Sequence, residues 1–219
     1  MSKTNKGLVA YAKAQVGKPY WFGCFGQKST NGLLASKRKQ YPSYYTASDF
    51  NKQIGVKVHD CIGLIKGYLW CKDSNDGSPK YNSSQDTNAK GMYSIAKVKG
   101  TNANMKYLDG VLVFKGVSAN KIHHVGVYCE DGYVYEAKGH AYGVVKTKYK
   151  NSDWQFWCLC PFIEYGDKPK VSKNYEEIAK MVIAGKFGNG TERKEKVTKM
   201  GYNYAKVQKI VNDMLKNVK

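Results

Sequence analysis

Val58-His59-Asp60-Cys61-Ile62-Gly63-Leu64-Ile65 opens the run whose reading decides the fold. From Cys61 to Cys71 the chain is apolar nearly all round, with Ile62, Leu64, Ile65, Tyr68, Leu69 and Trp70. A helix with that pattern is buried. Asp60 stands at its N-cap position, where a short carboxylate accepts the orphan N–H groups of the first turn. Cys61 then falls on that first turn. Unpaired N–H groups and the helix dipole stabilise a thiolate there, and the same groups can hold an oxyanion. On these residues alone, a small buried core thiol is the alternative.

Upstream, residues 7–16 read as an amphipathic helix with Gly17 where a C-terminal cap belongs. Residues 23–56, rich in Gly, Ser, Lys, Tyr and Asn, read as mostly irregular with one short helix from Leu33 to Tyr41. Downstream, residues 72–91 read as loop. Short apolar strands follow at Val111–Phe114, His124–Cys129, Tyr133–Ala137, Gly143–Tyr149 and Trp157–Tyr165, with Asp131-Gly132 as a hairpin signal. Helices first and an antiparallel meander after them make an α+β order. Gly166 to Lys173 reads as a polar linker. Beyond it three helical segments are expected: Tyr175–Ala184, Arg193–Met200 and Tyr204–Leu215. A 45-residue tail is too small for much core, so a three-helix bundle is its one compact choice. The expected organisation is a domain over 1–165, a linker over 166–174 and a small module over 175–219.

Two further residues complete a candidate constellation. His124 opens the apolar strand His124-Val125-Gly126-Val127-Tyr128 and could serve a thiol as general base. Glu136 lies twelve residues on, after the hairpin. Strand pairing can bring it back to His124, where a carboxylate would orient the ring and stabilise its charged form. A surface pair with His123 is the alternative for His124.

The net charge of +19 calls for a polyanionic partner or an anionic surface. Nucleic acid and teichoic-acid-bearing cell walls fit that charge equally. No stretch approaches the roughly 20 apolar residues of a membrane span. The six cysteines, Cys24, Cys61, Cys71, Cys129, Cys158 and Cys160, form no C-x-x-C pair. His59, His123, His124 and His140 complete no zinc spacing. No metal, no cofactor and no obligatory disulfide are expected.

Asp60-Cys61-x-Gly63-Leu64, then Leu112-Val113-Phe114, then His124-Val125-Gly126-Val127-Tyr128, resembles the NlpC (p-sixty) family of cysteine peptidases over roughly residues 5–165. The resemblance implies a papain-like α+β fold, with N-terminal helices packed on an antiparallel sheet, and cleavage of peptidoglycan stem peptides. It assigns Cys61 as nucleophile, His124 as base and Glu136 to the third position, which is usually His in that family. Tyr20, in Gly17-Lys18-Pro19-Tyr20, matches the family's tyrosine near the oxyanion site; a core aromatic is the alternative. Asp60 is placed beside it at the substrate side. About 40 residues separate Tyr20 from Cys61, longer than usual, and Leu108-Asp109-Gly110 replaces the family's Pro-Gly-Asp. His59 and His140 could line the cleft, with local structural roles as the other reading.

The segment from Ile178 through Gly188-Asn189-Gly190 to Arg193, followed by Gly201-Tyr202-Asn203-Tyr204 and Val207-Gln208, resembles the Cpl-seven type repeat of phage lysins. Such repeats are three-helix bundles that bind the muropeptide part of peptidoglycan. The resemblance makes Asn189, Arg193, Tyr202, Tyr204 and Gln208 candidate wall-binding residues, with structural roles equally open for Asn189, Arg193 and Gln208. Together the two resemblances imply a peptidoglycan hydrolase of endolysin type, with anionic wall polymers as further partners and nucleic acid set aside. The bond expected to be cut joins D-glutamate to the diamino acid of the stem peptide. An amidase acting on the muramoyl–alanine bond through the same site is one rival. A non-catalytic basic binding protein is another. No secretory signal is read after Met1–Lys6. Synthesis in the host cytoplasm and release at lysis are therefore expected.

Overall fold

A computed structural model describes residues 2–166, 175–200 and 202–216. The chain divides into two compact units, Met1–Lys170 and Val171–Lys219. The expected linker falls largely at 167–174, outside the described residues.

In the first unit, α1 (Asn5–Ala14) is capped by Thr4, whose hydroxyl accepts the Gly7 N–H at 3.1 Å. It buries Leu8, Val9, Tyr11 and Ala12. Gly17, at φ +85°, then turns the chain so that its N–H reaches Val144 O at 2.8 Å. The main sheet has six antiparallel strands in the order β3 (Lys99–Thr101), β8 (Phe156–Cys158), β4 (Leu112–Gly116), β5 (Ile122–Cys129), β6 (Tyr133–Gly139) and β7 (Gly143–Lys148). Its strands alternate between two buried faces. Leu112, Phe114, Val125 and Val127 join the core under α1 and α3 (Cys61–Trp70). Val111, Val113, Tyr128 and Val134 pack on the other face with Trp154 and Trp157. Coverage on both faces is why β4 reads as an unbroken apolar run rather than an alternating one.

Several expected elements need correcting. Residues 23–56 hold the one expected helix, starting two residues earlier, and a strand that was not expected. They carry α2 (Asn31–Gln40) and β1 (Phe25–Lys28), which pairs with β2 (Lys57–His59), around a separate core of Trp21, Cys24, Leu34, Tyr45, Phe50 and Val58. The loop read over 72–91 ends in α4 (Ala89–Ile95), capped by Asn88. The strand read over Trp157–Tyr165 stops at Cys158, because β3, a strand that carries no sequence signal, supplies partners only as far as Cys158. All six cysteines are free thiols, and Cys158 and Cys160 are both buried.

The second unit holds α5 (Tyr175–Ile183), α6 (Gly190–Lys199) and α7 (Tyr204–Lys216) around Ile178, Ala179, Val182, Phe187, Val197, Val207 and Val211. The second helix begins at Gly190, three residues before the expected start, since Asn189 already has the extended backbone of an N-cap. Its span otherwise follows the apolar spacing.

His59 is fully buried between α1 and α3, with Nε2 3.1 Å from the Tyr11 hydroxyl. Burial first, then Lys57 and Lys18, push its pKa down to about 3. A depressed folded value means that the unfolded chain binds this proton first, so the stability it carries is present above about pH 6.5 and lost on acidification. Urea unfolding should show a loss of roughly 3 kcal/mol from this group between about pH 7 and pH 4. His59→Leu should flatten that slope, whatever it does to stability at neutral pH. An unchanged slope would contradict the assignment.

Candidate active site

Asp60 builds the position of Cys61. Its Oδ1 accepts the Gly63 N–H at 2.6 Å, closing the first turn of α3. Its Oδ2 accepts the Gly23 N–H at 2.8 Å, and its own N–H donates to Cys24 O at 2.7 Å. Burial raises the Asp60 carboxyl pKa, against the two backbone donors and the charges of Lys66 and Lys37. Each oxygen thus holds a backbone N–H, so Asp60 positions the start of α3, and it also lines the cleft beside it. Gly63 is required by the same knot: a Cβ there would collide with Cys24 O.

Cys61 is half-buried at the helix start. Its sulfur is approached by the backbone N–H groups of Ile62, Val125 and Cys61 itself. The Val125 N–H is free for this role. Tyr128 N–H donates to Val111 O, so the even-numbered residues of β5 turn their backbone toward β4 and the odd-numbered ones toward β6. The β5–β6 ladder begins only at Val127 and Tyr135, which leaves Val125 N–H unpaired beside the thiol. Burial, followed by the Asp60 charge, pushes the thiol up to about 12 against those three donors. Burial thus opposes the thiolate that the helix position alone would favour.

His124 Nε2 lies 2.6 Å from Glu136 Oε2. The ring stacks on Trp154, with centroids 5.8 Å apart. Glu136 is fully buried. Burial raises its pKa, but the hydrogen bond and charge of His124 prevail and hold it below the usual carboxylate value. The two side chains meet diagonally across Gly126. A Cβ on Gly126 would collide with Val134 and come within 3.0 Å of the Trp154 ring and 3.3 Å of Glu136 Cβ. His124 thus projects with Tyr128 and Trp154, on the face opposite Val125, instead of facing the helix terminus directly. Cys61 instead reaches β5 at the adjoining residue, through the Val125 N–H. Among the described residues, the ring's hydrogen-bond partner is Glu136, and no thiol–imidazole bond is formed.

Tyr20 bridges to His59 and packs partly buried against the core. Burial pushes its hydroxyl pKa up, and charge at Cys61, Asp60 or Tyr44 would push it further, so it lies within electrostatic range of the thiol. His59 and His140 have local partners. The first is tied to Tyr11; the second bonds Asp49 at 2.8 Å and stacks on Phe50. Three positions escaped sequence reasoning. Trp154 backs the imidazole, Lys115 lies 4.5 Å over the Trp154 ring, and Val125 offers its N–H to sulfur. The odd–even register of β5 was the one signal that could have found Val125.

In the second unit, Arg193 Nε donates to Gly188 O at 3.0 Å, and its guanidinium reaches Asn189 Oδ1 at 2.7 Å. Tyr204 donates to Gln208 at 3.1 Å, and Tyr202 packs edge-on against Tyr175. All five candidate binding residues therefore have partners or packing within the unit.

Gly126→Ala should leave the fold intact but displace Glu136 from His124, at a cost of about 1–3 kcal/mol in stability from overpacking. Gly63→Ala should cost more, because the opposing atom is backbone. Thermal unfolding of the two variants, with the imidazole resonances of His124 as local reporter, checks both. An unperturbed His124 signal in Gly126→Ala would refute the diagonal packing.

No curated protein matches this sequence. Among solved structures, the chain is similar to RipB of Mycobacterium tuberculosis, a peptidoglycan hydrolase, at 23% identity and a TM-score of 0.43, over 74% of this chain and 65% of that one. It is similar to the NlpC/p60 domain of the peptidoglycan hydrolase SagA at 18% identity and 0.41, over 71% and 97%. It is also similar to RipD of Mycobacterium tuberculosis, a non-catalytic NlpC/p60 domain protein adapted to peptidoglycan binding, at 19% identity and 0.38, over 70% and 95%. The chain thus spans less than two thirds of RipB. Residues 176–215, where the sequence resembles a Cpl-seven type repeat, match the CW_7 repeat family.

Proposed function

We propose that this chain is a peptidoglycan hydrolase of endolysin type, cutting an amide of the stem peptide through Cys61, His124 and Glu136. The observation that carries the reading is the order of three parts along β5: a thiol on a helix's first turn beside the Val125 N–H, and the part-buried His124–Glu136 pair that begins at the preceding residue on the strand's other face. His124 takes the thiol proton as sulfur attacks the carbonyl carbon, and then delivers it to the leaving amine nitrogen. Water attacks the resulting thioester, His124 accepts its proton, and the carboxylate product leaves as the thiol is restored. The Cys61 N–H and the Tyr20 hydroxyl stabilise the oxyanion. Glu136 holds the ring and its positive charge. The bond between D-glutamate and the diamino acid is the proposed target, with the muramoyl–alanine amide as the alternative from the same site. The CW_7 segment and the charge of +19 support retention on an anionic wall, reached after release at lysis.

Cys61→Ala should abolish release of new amino groups from purified walls while leaving wall binding intact. Retained hydrolysis would end the thiol mechanism. Mass analysis of a wild-type digest separates the targets: fragments cut after glutamate mark the endopeptidase, and intact free stem peptides mark the amidase. Glu136→Gln should slow turnover by about 10- to 1,000-fold with little change in KM. It should also remove the part of the acid sensitivity that Glu136 carries, leaving the His59 part. With the native carboxyl held low, this pair's stability is present above about pH 4.5 and lost as pH falls below it.

A further inference from the structure

A cleft of about 490 Å³ opens beside the nucleophile. Its floor is the start of α3, with Asp60, Ile62 and Gly63 on either side of Cys61 in sequence. One wall is Lys66 and the 86–88 segment; the other comes from the long insertion, through Lys37 and Tyr41. The charges in it are unequally spent. Lys66 is ion-paired to Asp86, and the Asp60 carboxylate is bound to two backbone N–H groups. Lys37 has no carboxylate within ion-pair distance among the described residues. Its Nζ holds only the neutral Gln40 amide at 3.1 Å, and its ammonium sits over Gly23, where an added Cβ would lie 3.2 Å away. The Tyr41 ring lies under it at 5.3 Å, and Phe22 closes the aromatic side against Tyr41 and Tyr44. An ammonium with no ion-pair partner, above an aromatic floor and acting on Asp60 only through its longer-range charge, is a carboxylate-reading arrangement. The volume suits one or two residues of a peptide.

Resting on the proposed hydrolase reading, we infer that this cleft is a substrate subsite in which Lys37 pairs with the free α-carboxylate of the stem peptide's glutamyl residue, so that the enzyme discriminates against stem peptides amidated there. Lys37 is a specificity residue, remote from the bond-making atoms, and it acts through binding. A carboxamide of the same shape keeps the cleft contacts but offers the ammonium no charge. The loss is about tenfold, the size of one charge-assisted hydrogen bond at a partly exposed site.

Two synthetic stem tetrapeptides, with the glutamyl α-carboxyl free or amidated, test the inference. The wild-type enzyme should favour the free acid about tenfold in kcat/KM. Lys37→Met should erase that preference by raising KM for the acid, and Lys37→Arg should retain it. Equal effects of Lys37→Met on both peptides, or no wild-type preference, would overturn the inference. Calorimetric affinities of Cys61→Ala for the same peptides separate the two proposals. Discrimination in binding without any wild-type hydrolysis sinks the hydrolase and keeps the subsite. Hydrolysis without discrimination sinks the subsite and keeps the hydrolase. Neither binding nor hydrolysis sinks both.

Discussion

The Asp60 carboxylate is the joint on which the first unit turns. One of its oxygens closes the first turn of α3, the other holds Gly23, and its N–H is donated to Cys24 O. A buried carboxylate without such partners costs several kcal/mol, so the knot holds only while both N–H groups are presented. They are presented because residues 23 and 63 are glycines: the first has φ +73°, and the second lies against a carbonyl that would exclude any side chain. The Asp-Cys-x-Gly spacing is therefore a packing rule before it is a chemical one. It fixes the height of the sulfur on the helix and ties the insertion to the nucleophile's own turn.

That knot also explains what could be read in advance. The helix at 61–71 was legible because eleven residues of near-continuous apolarity admit few other states, and the Asp at its head has one common use. The central strands were legible because β4 and β5 are covered on both faces. β1, β2 and β3 were not, since three or four residues such as Lys57-Val58-His59 hold no periodicity and exist through their pairing partners. The Glu136 pairing with His124 followed from counting across the Asp131-Gly132 hairpin. The face on which the pair lies did not follow, because alternation becomes informative only once the hydrogen-bond parity of β5 is known, and that parity is set by Tyr128 bonding to Val111. The two backbone donors of Asp60 were not legible either, because sequence places it beside the cysteine but does not count its partners.

The tail shows the opposite balance. Its helices follow from apolar spacing alone, and its core of small aliphatic residues holds few surprises. The same residues that looked like binding groups turn out to shape the module. Arg193 pins the Gly188-Asn189 turn, and Tyr204, Gln208 and Asn212 form a ladder along α7. A side chain that is bonded internally can still present its remaining donors, as a guanidinium does.

The protonation state at rest constrains the chemistry. Burial and the Asp60 charge disfavour a preformed thiolate at Cys61, against three backbone N–H groups that point at the sulfur. In the proposed reaction those donors act late. They gain strength as negative charge develops on sulfur and oxygen, which is where differential stabilisation raises rate rather than mere occupancy. The proton must therefore move to His124 during attack, and the imidazolium so formed finds Glu136 already in place at 2.6 Å, in a pocket where its carboxyl is held ionised. Burial that suppresses the thiolate in the free protein and a buried counter-charge that awaits the imidazolium are two sides of one arrangement. In the proposed reaction this arrangement would keep the sulfur quiet until a carbonyl arrives and make the charged pair cheapest at the moment it is needed.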